Sequence, residues 1–382
     1  MEENLLKIFF PGKLVFGNGT LAQLTDDVLQ LKPARVFIAT IAPLKEIMAG
    51  FTASLERNKV IVLSDMSIVQ EPSFLDFEKL MKIVAPFNPD VVIGIGGGSV
   101  LDIAKLVAAQ LENEQPLKDY VGIGLLKGRK KKLICVPATS GTGSEVSPNA
   151  ILVDDDNQKK GIISPYLVPD IVYVDPMLTV SVPPGITAAT GIDALTHCLE
   201  AYTNKFALPF IDMYAYEGMK LIAANIETAV KDGNNIEART QVAMGSLLGG
   251  FCLGPVNTAG VHALSYPLGS MFHLAHGLSN ALLLPYVMEY NIPSAVKRYA
   301  DVAIALGCER QTDDEATAHV GVQKIKKLIK ACGIPATLKE VNVPETAIPQ
   351  MAVDAMKIQR LLKNNPRLIE EKDAIEIYKA AY

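Results

Sequence analysis

The sequence predicts an α/β domain followed by an all-helical domain, and three observations lead to this prediction. Short β-branched runs alternate with helical patterns through residues 1–183. Long helical patterns replace them in residues 184–382. Between the halves stands Pro183-Pro184-Gly185, a combination that interrupts regular structure. We therefore expect two domains, which suits a chain of 382 residues, long for a single hydrophobic core.

Five apolar runs in the first half have the length and composition of buried strands, and each ends in turn residues. They cover residues 35–40, 60–63, 90–95, 133–136 and 171–174. Residues 73–84 between them place apolar side chains at helical spacing. Alternation of strands and helices predicts a parallel sheet with helices on both faces.

The second half reads as helices throughout. Apolar residues recur at helical spacing in five long segments, which cover residues 187–201, 210–230, 236–251, 294–306 and 316–332. Hydrophobic residues make up 49% of the chain and charged residues 20%, a composition typical of globular proteins.

Charge and cysteine content exclude several classes of protein. The net charge of −5 argues against binding to nucleic acid or to an anionic membrane, because both need a basic surface. The five cysteines are far apart, odd in number and contain no C-x-x-C motif, so we expect reduced thiols and a cytoplasmic protein. The first residues lack the basic and apolar regions of a secretion signal.

Residues 240–288 form the most unusual stretch of the chain. They contain no Lys, Arg, Asp or Glu, yet they hold three of the five histidines, His262, His273 and His276. Prolines and glycines interrupt the stretch, so no part of it supplies the ~20 apolar residues of a membrane span. We expect a buried core of short helices, in which polar side chains must be paired or bound. A metal ion is the simplest explanation for imidazoles gathered there.

Two glycine-rich segments each follow a predicted strand directly. Gly94-Ile-Gly96-Gly97-Gly98-Ser99 opens a predicted helix, whose free N–H groups can bind a pyrophosphate. The segment is not a G-x-G-x-x-G fingerprint, because serine stands where the last glycine is needed. Residues 137–145 combine hydroxyl groups and glycines at the end of another strand. Two such loops at corresponding strand ends predict nucleotide binding.

A carboxylate and an imidazole in the second half have metal-binding spacing. Asp193 and His197 are four residues apart and share one helical face. His262 can join them with His276 only if the chain reverses between the two histidines, for which Pro267 and Gly269 are suitably placed. The alternative set uses His273 with His276 and leaves His262 as a core residue. Either set suits Fe(II) or Zn(II).

Four motifs together resemble the iron-containing, group III alcohol dehydrogenases over nearly the whole chain. Gly96-Gly97-Gly98-Ser99 with Asp102 and Lys105 resembles the family's pyrophosphate loop, and residues 139–145 resemble its second cofactor loop. Gly191-Ile-Asp-Ala-Leu-Thr-His197 resembles the first half of its metal site. Residues 262–269 and 276–281 resemble the second half. The resemblance implies an N-terminal dinucleotide-binding domain and a C-terminal metal-binding domain, in a dehydroquinate synthase-like architecture.

The resemblance also implies roles for individual residues. The implied metal ligands are Asp193, His197, His262 and His276. The implied cofactor-binding residues are Gly96, Gly97, Gly98, Ser99, Thr139, Ser140, Thr142, Lys160 and Leu178.

The chain departs from the family pattern at two positions. Where some members carry a histidine proposed as a proton relay, this chain has Tyr266, so water, Tyr266 and His273 are the candidate relays. Where many NAD-dependent members carry an aspartate that contacts the ribose, this chain has Ile41. An acidic group there would repel a 2′-phosphate, so both NAD and NADP are open.

The expected function is a metal-dependent, NAD(P)-linked alcohol dehydrogenase or aldehyde reductase with Fe(II), or alternatively Zn(II), in a homodimer or larger homo-oligomer. The charge-free stretch 240–288 favours a small neutral alcohol or aldehyde. A glycerol dehydrogenase-like zinc enzyme is the nearest alternative, and it predicts a three-ligand site without His276. A dehydroquinate synthase-like lyase would need Lys or Arg near the metal. A non-catalytic nucleotide-binding protein would lack a complete ligand set.

Overall fold

The computed structural model describes residues 6–155 and 158–382. The chain divides into two compact units. One, the sheet unit, contains residues 9–139 and 144–179. The other, the helical unit, contains residues 180–382 together with two outlying pieces, the described residues up to Ile8 and residues 140–143. The middle of the second glycine-rich loop therefore packs with the helical unit.

The sheet unit contains every strand found in the described residues, in two sheets. In chain order the strands are β1 (Lys13–Phe16), β2 (Arg35–Ala39), β3 (Ile61–Asp65), β4 (Val91–Gly96), β5 (Gly122–Ile123), β6 (Lys132–Pro137), β7 (Asn149–Val153), β8 (Lys159–Ile163) and β9 (Ile171–Val174). Its helices are α1 (Leu24–Gln30), α2 (Lys45–Arg57), α3 (Phe74–Phe87) and α4 (Gly98–Gln110).

The main sheet has six strands in the order β1-β9-β6-β4-β2-β3, and every neighbouring pair is parallel. All five strands expected from the sequence belong to it, so the predicted parallel sheet is confirmed. β1 and the small second sheet β5-β8-β7 were not predicted. Their strands are two to five residues long and partly exposed, so they lack the continuous apolar run of a central strand.

Both faces of the main sheet are covered by helices. Side chains on one face of the sheet, such as those of Phe37 and Val92, pack with α3 and α4 in one hydrophobic cluster. Side chains on the other face, such as those of Val36 and Ile93, pack with α1 and α2 in a second cluster. This arrangement follows from the continuous apolar character of parallel strands, which must be buried on both sides.

The helical unit contains ten α-helices and no strand among its described residues. They are α5 (Pro184–Thr203), α6 (Pro209–Lys231), α7 (Ile236–Cys252), α8 (Gly260–Phe272), α9 (His276–Asn291), α10 (Val296–Ala305), α11 (Asp314–Ala331), α12 (Ile348–Met356), α13 (Gln359–Leu362) and α14 (Glu371–Ala380). One large hydrophobic cluster joins α5 to the helices that follow it. The expected all-helical second domain is confirmed.

The uncharged stretch forms most of α7, all of α8 and most of α9, and most of its residues are buried. Within the described residues, no helix combines the length and the apolar character that crossing a membrane requires. The reversal between His262 and His276 is not at Pro267 and Gly269, which lie inside α8. The chain instead reverses at His273, which adopts the left-handed conformation with φ 56°. The sequence did not reveal this because glycine, not histidine, is the usual residue there.

Candidate metal centre and nucleotide loops

Four side chains from three helices converge in the helical unit. α5 supplies Asp193 and His197, α8 supplies His262, and α9 begins at His276. Their ligand atoms all lie within 4.8 Å of one another. His273, the rival of His262 in the sequence analysis, is exposed at the end of α8 and is not in this group.

The distances fit a single divalent ion. Asp193 Oδ1 lies 3.7 Å from His197 Nε2, 3.6 Å from His262 Nε2 and 3.7 Å from His276 Nε2. Ligand bonds of about 2.0–2.2 Å arranged near tetrahedral angles separate the donor atoms by about 3.4 Å, which is close to these three distances. Other separations in the group, of up to 4.8 Å, have to shorten when an ion binds. The Asn280 amide nitrogen supports the same conclusion. It lies 2.7 Å from Asp193 Oδ1, 3.1 Å from His262 Nε2 and 3.3 Å from His276 Nε2, so these three ligand atoms surround one place.

Burial and charge keep these groups in the forms that bind metals. Burial alone would raise the pKa of Asp193, but the imidazoles of His197, His276 and His262 outweigh it and hold that pKa well below its usual range. Burial lowers the pKa of His197 to about 4, so its imidazole is neutral at pH 7. Asp193 is therefore an anion and His197 a lone-pair donor.

Glu200 is a functional residue that the sequence analysis missed. Its carboxylate accepts hydrogen bonds from His262 Nδ1 at 2.5 Å and from the Val261 N–H at 2.6 Å. Because a carboxylate only accepts, Nδ1 must carry the hydrogen and Nε2 is left free for a metal. Burial opposes a charge on His262, but Glu200 and Asp193 raise its pKa to about 10, so without a metal His262 also carries a proton on Nε2, which a metal displaces when it binds. The available signal was spacing, since Asp193, His197 and Glu200 follow the i, i+4, i+7 pattern of one helical face.

Tight packing between backbones brings the helices to this spacing. A Cβ added to Gly277, the residue after His276, would lie 2.2 Å from the carbonyl oxygen of Ala189 in α5. Only glycine lets the start of α9 approach α5 so closely, and this approach brings His276 to Asp193.

In the sheet unit, the two glycine-rich loops begin side by side. β4 and β6 are neighbours in parallel register, with Gly96 opposite Pro137. A Cβ on Gly97 would lie 3.6 Å from Thr139 Oγ1, so the loops are in contact. Gly97 precedes α4, and no side chain caps that helix end. In the main sheet, β3 lies beside β2 on one side, whereas β6 lies beside β4 on the opposite side, so the direction of the strand order reverses between β2 and β4. Parallel sheets bind nucleotides at such a topological switch point.

Asp102 and Lys105 in α4 form hydrogen bonds with the end of the second glycine-rich loop and the residues that follow it. Lys105, fully buried, donates from Nζ to Ser144 Oγ at 2.9 Å, the Ser147 carbonyl at 2.9 Å and the Asn149 carbonyl at 2.8 Å. Asp102 accepts from the Ser144 hydroxyl and from the Ile151 N–H. Burial lowers the pKa of Lys105 and raises that of Asp102, although each partner opposes the shift of the other. These two residues therefore join α4 to the loop.

The remaining expected cofactor residues are also placed by the sheet unit. Lys160 in β8 is partly exposed and pairs with Asp154 at 3.0 Å. Leu178 is buried in a 3-10 turn at residues 176–179, just after β9. Ile41 follows β2 and packs against both clusters of the sheet, so no carboxylate occupies that position.

Comparison with known proteins identifies the family. The model of the iron-containing alcohol dehydrogenases matches residues 11–176, and the model of their C-terminal domain matches residues 187–382. The chain belongs to the iron-containing alcohol dehydrogenase family. It is an oxidoreductase that acts on the CH–OH group of alcohols and on the corresponding aldehydes.

Relatives of this alcohol dehydrogenase are similar over almost their whole length. Long-chain-alcohol dehydrogenase 1 of Geobacillus thermodenitrificans is 39% identical, with 99% of this chain and 97% of the relative covered. A crystal structure of 1,3-propanediol oxidoreductase has a TM-score of 0.94 at 30% identity, covering 99% of this chain and 100% of that one. Sulfoacetaldehyde reductase of Bifidobacterium kashiwanohense, solved with NAD+, has a TM-score of 0.86 at 26% identity, covering 99% and 98%.

Proposed function

We propose that this enzyme reduces aldehydes, and oxidises the corresponding alcohols, with a divalent ion held by Asp193, His197, His262 and His276. The observation that carries the proposal is the convergence of these four donor atoms within 4.8 Å of one another. Inclusion of His276 in the group favours this site over the three-ligand alternative. Fe(II) is the ion we expect from the family model, and Zn(II) is the alternative that the same ligands accept.

When bound at these residues, a divalent ion supplies the Lewis acidity that polarises a carbonyl oxygen. The protein's own residues supply charge to the site and fix the orientation of its ligands. Asp193 supplies one negative charge, and Glu200 fixes the tautomer of His262. Asp193, His197 and His262 are buried, which shields their ligand atoms from bulk water. A nicotinamide held by the two glycine-rich loops would supply or accept the hydride at the carbon that bears the oxygen.

For the nucleotide, we propose a site on the two adjoining loops. Its residues would be Gly96, Gly97, Gly98, Ser99, Thr139, Ser140, Thr142, Lys160 and Leu178. The uncapped N-terminus of α4 supports the placement of a pyrophosphate there. The relative solved with NAD+ supports NAD, and Ile41 leaves no carboxylate to repel the 2′-phosphate of NADP. Both nucleotides therefore belong in the test.

We keep Tyr266 and His273 as candidate proton relays. Tyr266 lies one helical turn after His262 in α8. The centroid of its ring is 6.2 Å from the centroid of the His276 ring. His273 is exposed to solvent at the end of the same helix. The pH profiles of Tyr266→Phe and His273→Gln would distinguish the two, because loss of the true relay removes one limb of the profile.

A cytoplasmic location and a homo-oligomer complete the proposal. All five cysteines are free thiols, which supports a reducing compartment. Light scattering after size exclusion would measure the oligomeric state.

The central test removes the metal and restores it anaerobically as Fe(II) or Zn(II). Consumption of NADH and NADPH is then followed with a panel of aldehydes, and metal content is measured in parallel. We expect activity only after metal is restored, and neither metal nor activity in His276→Ala. His319→Ala is the matched control, because that histidine is half-exposed, pairs with Glu289 and lies outside the metal-binding group. Full activity without metal, or in His276→Ala, would refute the proposal.

A further inference from the structure

Within the part of the chain that the structure describes, His276 is the most exposed member of the metal-binding group. The side chain of His276 is 29% exposed, whereas those of Asp193, His197 and His262 are 3–6% exposed. The side of His276 is therefore the side from which we expect a substrate to approach the donor atoms. Side chains beside His276 are in a position to contact the rest of the substrate.

Tyr266 and Arg360 lie on that side. The Tyr266 ring stands at the edge of the His276 ring, with centroids 6.2 Å apart. Arg360, from α13, donates from Nη2 to the Tyr266 hydroxyl at 2.9 Å, and its guanidinium carbon lies 5.9 Å from the Tyr266 ring centroid. The fold thus brings an arginine from outside the charge-free stretch 240–288 next to it.

Among the described residues, no carboxylate lies within 4.0 Å of the Arg360 guanidinium, whereas Arg129, Arg298 and Arg310 each pair with an aspartate. Other arginines also lack such a partner, but Arg360 differs from them because it contacts Tyr266 beside His276. A guanidinium has five N–H donors in a planar fork, and its contact with Tyr266 uses one side of that fork. The remaining donors suit the oxygens of a carboxylate, sulfonate or phosphonate.

We propose that Arg360 and the Tyr266 hydroxyl form an anion subsite, and that the substrate is an aldehyde carrying an anionic group a short carbon chain away from its carbonyl. This inference rests on the proposed function. The reaction is the ordinary one: the carbonyl carbon gains a hydride from the reduced nicotinamide, the oxygen gains a proton, and the anionic group is unchanged. This proposal differs from the neutral substrate expected from the sequence, where Arg360 was not considered because it lies more than 70 residues beyond the charge-free stretch.

The test compares matched pairs of aldehydes on the metal-loaded enzyme. Succinic semialdehyde is paired with pentanal, and sulfoacetaldehyde with butanal. We expect the wild type to favour the anionic member in kcat/KM. In Arg360→Gln the anionic-to-neutral ratio of kcat/KM should fall about 10- to 100-fold, mainly through KM, the range expected for a charge-assisted hydrogen bond. Arg360→Lys should retain part of the preference, and Arg57→Gln, an exposed change at the end of α2, should retain all of it.

A second readout does not depend on turnover. Saturation-transfer NMR with ethanesulfonate should detect binding to the metal-free wild type and much weaker binding to Arg360→Gln. An unchanged anionic-to-neutral ratio in Arg360→Gln, with all rates lowered alike, would mean that Arg360 only supports Tyr266 and would overturn the subsite. A wild type that prefers the neutral aldehydes would overturn it too, while the proposed function stands. Absence of metal-dependent turnover with both series would instead refute the proposed function itself.

Discussion

The carboxylate of Glu200 lies 2.5 Å from Nδ1 of His262, so the helix that supplies two candidate metal ligands also orients a third. Glu200 is 3% exposed and its second oxygen accepts the Val261 N–H at 2.6 Å, which fixes the carboxylate against the start of α8. Carboxylate–histidine pairs of this kind set the tautomer and the orientation of a ligand.

Replacing Glu200 tests this relationship. Glu200→Gln can donate to Nδ1 as well as accept, so we expect His262 to lose its fixed tautomer and the affinity for Fe(II) or Zn(II) to fall about 10- to 100-fold. Chelator competition followed by metal analysis measures that affinity. Glu217→Gln, an exposed change on α6, is the control. Unaltered metal affinity in Glu200→Gln would show that Glu200 does not position His262.

Gly277→Ala tests the backbone contact that brings His276 to the site. Since the new Cβ would lie 2.2 Å from the Ala189 carbonyl oxygen, α9 must move away from α5. We expect the metal-dependent rise in melting temperature, measured by adding Zn(II) to the metal-free protein, to shrink or vanish. Gly185→Ala is the matched control, because a Cβ at that helical glycine meets nothing within 4 Å. Equal metal-induced shifts in the two variants would contradict the prediction.

Lys105→Met tests the buried link beneath the second loop. The change leaves the Asp102 carboxylate buried without its cation and removes three hydrogen bonds. We expect the free energy of unfolding to fall by about 3–5 kcal/mol and NADH to bind more weakly, as measured by urea denaturation and fluorescence titration. The double variant Asp102→Asn with Lys105→Met should recover part of the stability, because no charge is then left unpaired. Lys118→Met, at an exposed lysine, should behave as the wild type.

Glu145 makes stability depend on pH. Burial raises the pKa of Glu145 to about 7 in the folded protein, from 4.5 for an ordinary glutamate side chain. The folded state therefore holds this proton more tightly than the unfolded state, so the contribution is fully present below the unfolded pKa and is lost as pH rises through the folded pKa.

Urea denaturation between pH 5 and 8 measures this effect. Relative to Glu145→Gln, the free energy of unfolding of the wild type should fall by about 1 kcal/mol per pH unit up to pH 7 and then level off. Parallel curves for the two proteins across that range would show that Glu145 does not titrate with a raised pKa.

Much of the fold was determined by local sequence. The runs that became β2, β3, β4, β6 and β9 are short and mostly apolar, with many β-branched residues, a composition typical of strands in a parallel sheet. The long helices of the second half follow from apolar spacing in the same way. β1 and the small sheet were not predicted, because short, partly exposed strands have no such pattern.

The sequence alone predicted only part of the candidate site. Asp193 and His197 share one helical turn, so their spacing alone placed them together, and the order of four motifs then suggested the full ligand set by resemblance. Whether His262 or His273 joins them depends on where the chain reverses. The left-handed conformation of His273 decides this, and histidine gives no signal for it. The tertiary structure also decided the partners of the site, since Glu200 meets His262 across 62 residues and Arg360 meets Tyr266 across 94. Local spacing records which side chains share a helical face, whereas contacts between distant helices arise only when their hydrophobic faces pack together.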